Sequence, residues 1–168
     1  IEHFVAYDIN GNKIETQTSG PNAWAIDNTK GVSRIEYDMN DSYDSKLDNP
    51  IFEPAGSDIE KDSVYILNLH CLLGYFQNQM GAPIQLTVQH SAKFFGSTSL
   101  VDKDASTTKD VYVMQNYNEA VDNPIMYTIP DTAIVKVGTS NVLISVFSKK
   151  FSHRAKYIAT RLDSLLQA

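Results

Sequence analysis

The side chains best suited to chemistry in this chain are its four histidines, and their spacing limits what they can do. They are His3, His70, His90 and His153. A peptidase zinc site uses two histidines four residues apart on a helix, with a glutamate beside the first and a further acidic ligand downstream. No two of these histidines have that spacing, and Tyr157 stands four residues after His153. The sequence therefore predicts no catalytic zinc site and no zinc ligands in this chain.

The sequence does not support a serine or cysteine nucleophile either. A serine hydrolase typically carries its nucleophile in a Gly-x-Ser-x-Gly turn, and residues 96–100 lack the second glycine. The single cysteine, Cys71, can form neither an intrachain disulfide nor a thiolate metal site by itself. Its place in an apolar run predicts a buried, inert thiol. Taken alone, the sequence predicts no catalytic residues.

Composition and charge narrow the class of protein. The chain has 168 residues, 42% of them hydrophobic and 20% charged, which is typical of a globular domain. A net charge of −6 argues against a nucleic-acid partner, because phosphate binding needs a clustered basic surface. The basic residues are scattered, with one local concentration that we interpret as the solvated face of a helix. It consists of Lys149, Lys150, Arg154, Lys156 and Arg161.

Most of the chain is predicted to form β-strands. Residues 4–9 lead into Asn10-Gly11, a strong hairpin-turn signal, and residues 13–17 return from it. Apolar and polar residues alternate in further strand candidates. These are residues 24–26, 35–39, 84–88 and 111–114, and then residues 133–137 and 142–147, which flank a turn and form a second hairpin. The strand 142–147 is apolar on both faces, which predicts a sheet covered on both sides.

One helix is predicted, near residues 152–166. Ser152 can cap it, and Ile158, Leu162 and Leu165 recur at helical spacing on one face. The predicted fold class is therefore mainly β. We expect an antiparallel β-sandwich-like domain followed by a β-hairpin and one C-terminal α-helix.

Several motifs, in order along the chain, are shared with a known family. Phe4, Ala6, Asp8 and Gly11 form a hairpin motif, and a tryptophan strand (22–26) and a tyrosine strand (35–39) follow it. Next come the run 67–76 and a strand motif made of Pro83, Leu86, Thr87 and Val88. A junction made of Tyr117, Val121, Asp122, Pro124 and Ile125 ends the series. This order resembles the N-terminal region of the glycyl aminopeptidases, PDZ-containing zinc metallopeptidases of the gluzincin class.

The resemblance implies a division of the chain and a role for it. Residues 1–118 would be most of an N-terminal β domain, with its opening strands absent, and residues 119–168 would begin the catalytic domain. The chain itself would be inactive and would hold no cofactor, with zinc bound in the rest of the catalytic domain. The rest of the catalytic domain and a peptide substrate would be its partners. We also expect uncovered sheet edges to favour association between copies of this chain. A periplasmic or cell-envelope location is implied by the resemblance alone.

Within the run 67–76, three residues interrupt an apolar pattern and are candidates for groups facing the peptide cleft. They are Asn68, His70 and Tyr75. The structural alternative is that Asn68 and His70 are hydrogen-bonded polar residues in a sheet and that Tyr75 is part of the core.

Met126 stands where many family members have an acidic residue, so recognition of a substrate amine is not assigned to it. A different class of function stays open, namely a stand-alone β-sandwich binding or adhesion module. Its ligand platform would use aromatic residues, and the candidates are Trp24, Tyr7, Tyr37 and Tyr43.

Overall fold

A computed structural model describes residues 1–43 and 55–166 of the chain. The fold is mainly β, with several antiparallel sheets and one C-terminal helix, so the predicted fold class is confirmed. The chain divides into two compact units, Ile1–Asp41 and Ser42–Ala168. No helix in the described ranges is long and apolar enough to cross a membrane.

The first unit is a small β structure. Its strands are β1 (Glu2–Tyr7), β2 (Lys13–Ile14), β3 (Thr16–Thr18), β4 (Trp24–Ile26) and β5 (Arg34–Asp38). Strands β2, β1 and β5 form one antiparallel sheet in that order, and β3 pairs with β4. The predicted turn at Asn10-Gly11 is present, with Gly11 at a φ of 82°. The Asp8 carboxylate closes this turn by accepting hydrogen bonds from the Asn12 side chain and from the backbone of Asn12 and Asn10. The Asn12 side-chain bond is the main cause that lowers the pKa of Asp8.

Stacked aromatic rings fill the first unit. The Phe4 ring stacks on Trp24 with centroids 4.7 Å apart and on Tyr37 at 6.3 Å. The Arg34 guanidinium lies 4.5 Å above the centre of the Tyr7 ring. Because Phe4 packs against the faces of Trp24 and Tyr37, these rings form a packed cluster with half-buried side chains.

The second unit contains the longer elements. Its strands are β6 (Asp58–Glu60), β7 (Val64–Leu67), β8 (Ile84–Gln89), β9 (Phe95–Ser97), β10 (Lys109–Met114), β11 (Ile125–Thr128), β12 (Thr132–Val137) and β13 (Ser140–Ser145). Its helices are α1 (Leu69–Leu72), α2 (Tyr117–Val121) and α3 (Ala155–Leu166). A four-stranded antiparallel sheet has the order β6-β7-β11-β9, and β8 pairs with β10 along their full lengths.

The β8–β10 ribbon and the four-stranded sheet pack face to face around the main core. Tyr112 and Met114 from the ribbon meet Ile125 and Tyr127 from the sheet, and all four side chains are at most 2% exposed. Leu69 of α1 and Ala120 of α2 belong to the same cluster. This arrangement is the sandwich-like pair of layers that the alternating strands predict. The predicted division after residue 118 stays a prediction, but β11 follows that residue and pairs with β7 and β9, which precede it.

The predicted second hairpin, β12–β13, packs one face against α3. Val135 and Ile144 are buried there with Ala155, and Ile158 and Leu162 pack against them. The expectation that residues 142–147 are covered on both sides is wrong for β13. Ile134 and Leu143 pair directly on the other face and are 68% and 39% exposed, because α3 covers one side of the hairpin only.

Two polar contacts tie the hairpin and the segment after it to the rest of the second unit. The Ser97 and Ser145 hydroxyl oxygens are 2.6 Å apart, which joins β9 to β13. The Lys149 ammonium lies 2.6 Å from Glu60 of β6. The hairpin and helix are therefore attached to the four-stranded sheet by side chains from both of its edge strands.

The start of α3 differs from the expectation. The helix begins at Ala155, and the Ser152 hydroxyl contacts Ser148 instead of capping it. Asp131, just before β12, accepts a hydrogen bond from the Ala155 backbone nitrogen at 3.4 Å. A carboxylate at a helix N-terminus satisfies a free N–H group and interacts favourably with the helix dipole.

We expect Asp131→Ala to lower the free energy of unfolding by about 1 kcal/mol, the usual cost of losing an N-terminal cap. Ser152→Ala should change it by less than about 0.5 kcal/mol, as for other exposed surface substitutions. Urea unfolding of the two variants beside the unsubstituted chain makes the comparison. A larger loss for Ser152→Ala would show that the serine caps the helix.

Candidate functional site

The three residues proposed for the peptide cleft lie on and just after α1. Asn68 is the N-cap of this short helix, and its side-chain oxygen accepts a hydrogen bond from the His70 backbone nitrogen at 3.3 Å. The other end of its amide donates to the Ala55 carbonyl at 2.8 Å. Its backbone nitrogen donates to the Ser57 hydroxyl at 3.1 Å. The Asn68 side chain therefore holds α1 in place against residues 55–57.

His70 and Cys71 follow within the helix and differ in exposure. The His70 side chain is exposed to solvent. The Cys71 thiol donates to the Ala55 carbonyl at 3.0 Å, and burial raises its pKa. The thiol is half-buried, less than predicted, and its raised pKa disfavours the reactive thiolate.

Tyr75 lies in the segment that links α1 to β8, residues 73–83, which we call the α1–β8 loop. Its side chain is 54% exposed, so it is not part of the core. Phe76 and Met80 in the same loop are also exposed, at 47% and 38%. Three large apolar side chains thus face solvent from one short loop. Such exposed apolar groups mark binding surfaces when they are grouped.

Tyr117, the first residue of α2, fixes the conformation of this loop. Its hydroxyl donates to the Leu73 carbonyl at 3.2 Å, and its backbone nitrogen donates to the Met80 carbonyl at 2.9 Å. Its ring packs against Tyr75 with centroids 4.8 Å apart. Tyr117 itself is 6% exposed. A buried residue therefore contacts the loop at Leu73, at Met80 and at the Tyr75 ring, which preorganises the apolar surface.

A buried polar cluster lies inside the two-layer core, on strands that lead to this loop. The Asp110 carboxylate accepts hydrogen bonds from the Tyr127 hydroxyl at 2.7 Å and from the Tyr112 hydroxyl at 3.0 Å. Both bonds go to the same oxygen, Oδ2. Since Asp110 and Tyr112 belong to β10 and Tyr127 to β11, the carboxylate joins the ribbon to the sheet. We call these residues, together with His90 and Gly96, the Asp110 cluster.

Gly96 makes room for the cluster. A Cβ atom at this position would lie 2.7 Å from the Asp110 Oδ2 atom, 2.8 Å from the Tyr112 hydroxyl and 2.9 Å from the Tyr127 ring. Carbon atoms do not approach oxygen or carbon this closely without displacing them. Any larger residue at position 96 would therefore push the carboxylate and both phenols apart.

His90 completes the cluster from the end of β8. Its Nδ1 atom lies 3.1 Å from the Ser91 carbonyl, which can only accept, so this nitrogen donates. Its Nε2 atom lies 3.2 Å from Asp110 Oδ1, within ion-pair distance but without hydrogen-bond geometry. The ring also packs on Tyr127 with centroids 4.9 Å apart. The Nε2 atom therefore has no hydrogen-bond partner among the described residues, and the Nδ1 contact and aromatic packing set the position of the ring.

Burial changes the acidity of both phenols. It is the main cause that raises the pKa of Tyr112 to about 12, and the neighbouring Asp110 carboxylate contributes to this increase. Burial is also the main cause that raises the pKa of Tyr127. Both effects favour the neutral phenols, which donate hydrogen bonds to Asp110. The arrangement stabilises a carboxylate in the core.

The four histidines lie in different surroundings. His3 pairs with Asp38 in the first unit at 2.7 Å, His90 lies in the Asp110 cluster, and His70 and His153 are exposed. Among residues 1–43 and 55–166, no three histidine, cysteine, aspartate or glutamate side chains are placed to hold a metal ion. The side chains described do not fit a catalytic zinc, and no reaction step is assigned to them.

The Asp110 cluster is a feature that the sequence patterns missed. The strand was predicted to start at Val111, which left Asp110 in a surface loop. It starts at Lys109, and Asp110, Tyr112 and Met114 share the buried face. The alternation of buried and exposed residues extends one step towards the N-terminus, to Asp110. This step is hard to recognise in the sequence because an aspartate is usually exposed.

Two antiparallel layers joined by a buried carboxylate, with an ordered apolar loop at the surface, define a structural or binding domain. Residues 1–129 match the family of the Peptidase M61 N-terminal domain. The match covers more than half of the chain, and the chain belongs to this family. No curated protein and no solved structure matches it. The predicted resemblance is confirmed at the level of a peptidase N-terminal region.

The raised phenol pKa values give a stability prediction at alkaline pH. A free tyrosine ionises near pH 10, whereas Tyr112 ionises near pH 12 when folded, so between these values the unfolded chain loses its proton first. Stability is fully present below about pH 10 and falls as the pH rises through about 12. Tyr112→Phe should make this fall shallower, and Tyr127→Phe should do the same.

Urea unfolding midpoints measured across this pH range test the prediction. Tyr75→Phe serves as the matched control, because Tyr75 is exposed and outside the cluster. An equal fall in midpoint for all three variants and the unsubstituted chain would mean that the buried phenols ionise as freely as exposed ones.

Proposed function

We propose that this chain is the non-catalytic N-terminal portion of a glycyl-aminopeptidase-like zinc metallopeptidase of the PDZ-containing kind. It packs on the zinc domain and lines one side of the cleft that holds the peptide. Zinc and the general base come from the zinc domain, and the peptide and that domain are its partners. Membership of the M61 N-terminal family supports the peptidase context.

The observation that carries the proposal is the ordered apolar surface of the α1–β8 loop. Tyr75, Phe76 and Met80 are exposed, yet Tyr117 bonds the loop at Leu73 and at Met80. Exposing large apolar side chains on a fixed backbone costs solubility, and it is favourable where a partner covers them. A preorganised loop binds without the entropy cost of ordering itself.

The roles of the three cleft candidates follow from their contacts. Tyr75 presents its ring to solvent from the loop and is the residue placed to touch a peptide. His70 is exposed on α1, five residues before it, and offers a ring nitrogen to a peptide group. Asn68 uses both ends of its amide within the protein, so it positions α1 and makes no contact with the peptide.

The test is made in the full metallopeptidase that carries this domain, with a glycyl-peptide substrate. Tyr75→Ala and Phe76→Ser should each raise KM about fivefold and change kcat less than about twofold, since they remove contacts made equally in the ground and transition states. Both side chains are exposed, so folding should be unaffected.

Val113→Ser is the matched control, because Val113 is 55% exposed on β10 and outside the loop. It should leave KM unchanged. An unchanged KM in the folded Tyr75 and Phe76 variants would contradict the role of the loop in the cleft.

A further inference from the structure

A stripe of apolar and cationic residues runs along the exposed side of α3 and the segment just before it. Its members are Phe151 and Arg154, which precede the helix, and Tyr157, Arg161 and Leu165 within it, and we call them the α3 stripe. The other side of the helix, with Ala155, Ile158 and Leu162, packs on the β12–β13 hairpin. The helix thus has apolar residues on two sides, and only one of them is used within the second unit.

Each apolar member of the α3 stripe is more than half exposed. The values are 71% for Phe151, 55% for Tyr157 and 72% for Leu165. The Arg154 guanidinium lies 5.1 Å above the Phe151 ring, and the Arg161 guanidinium lies 4.8 Å above the Tyr157 ring. Cationic and aromatic side chains therefore alternate from Phe151 to Arg161. Phe151 also has a φ of 51°, a conformation that a bulky residue rarely adopts.

The stripe is cationic in a chain that is acidic as a whole. No aspartate or glutamate occurs between residues 149 and 162, while the net charge of the chain is −6. A shallow groove of about 580 Å³ adjoins the stripe, with Arg154, Lys156 and Tyr157 in its lining. Asp131 lies in the same lining and contacts Arg154 at 3.5 Å. The surface thus suits a partner that brings a carboxylate beside apolar groups.

We infer that the α3 stripe docks on the peptidase portion of the M61 protein, against a surface of acidic and apolar side chains. This inference rests on the proposed function, since it names the surface through which the chain packs on the zinc domain. The family match ends at residue 129, so the stripe lies in the segment that follows the N-terminal domain. Aromatic and arginine side chains are the residues enriched at the centres of protein interfaces.

Two tyrosines with nearly equal exposure provide the test. Tyr157 is 55% exposed and Tyr75 is 54% exposed in this chain. Both should be modified by a tyrosine-nitrating reagent in this chain, and the same reaction is then run on the intact metallopeptidase that carries it, without substrate. We expect Tyr157 to lose most of its reactivity in the intact protein, while Tyr75, in the open cleft, keeps it.

Charge reversal then tests the chemistry of the contact. Arg161→Glu in the intact protein should restore the reactivity of Tyr157, whereas Lys30→Glu, an exposed cation in the first unit, should not. The thermal melting of each variant of this chain alone shows whether α3 still folds. An unchanged melting temperature with restored reactivity supports docking through the stripe.

Three outcomes would overturn the inference. If Tyr157 stays reactive in the intact protein while other tyrosines of this chain become protected, the chain packs through another surface and the proposed function survives. If no tyrosine changes, packing on the zinc domain fails as well. If Tyr157 is protected by phosphatidylglycerol vesicles or by self-association of this chain, and not by the peptidase portion, the partner is a lipid surface or a second copy.

Discussion

A buried carboxylate links the two layers of the second unit, which also share an apolar core. Asp110 extends from β10 into the interface, where the Tyr112 and Tyr127 hydroxyls donate to one of its oxygens. A carboxylate in a core is costly unless its oxygens are satisfied, and hydrogen bonds to a charged group are worth more than those between neutral groups. The two phenols supply that compensation, and Gly96 leaves the space in which they converge.

The loop proposed for the peptide cleft depends on the same strand. β10 runs from Lys109 through Met114, with Asp110 as its second residue, and the chain then enters α2 at Tyr117. Tyr117 bonds Leu73 and Met80 of the α1–β8 loop and packs on Tyr75. The strand that carries Asp110 therefore leads directly into the helix that contacts the exposed apolar loop.

The sequence predicted those elements whose side chains alternate or recur clearly. The Asn10-Gly11 hairpin, the strand at 84–88, the hairpin near 133–147 and the C-terminal helix all form. Prediction from the sequence failed where a tertiary contact took the place of a local one. Asp131 replaces Ser152 as the cap of α3, and β13 has one exposed face because α3 covers only the other.

The candidate site shows the same limit. Asn68 was singled out as a polar interruption of an apolar run, and its cap bond to His70 is local, but its bonds to Ala55 and Ser57 are tertiary contacts. The residues of the Asp110 cluster become neighbours only when β9, β10, β11 and the end of β8 come together. The family resemblance, in contrast, depended on the order of motifs, which a single sequence does contain, and the match to residues 1–129 confirms it at that level.

The central claim is that the Asp110 carboxylate couples the ribbon to the sheet through Tyr127. A double-mutant cycle with Asp110→Asn and Tyr127→Phe measures this coupling in the free energy of unfolding. The account predicts a coupling energy of at least about 1 kcal/mol, as for residues that share a buried hydrogen bond. Additive effects, within about 0.3 kcal/mol, would contradict it by showing that the two residues act independently.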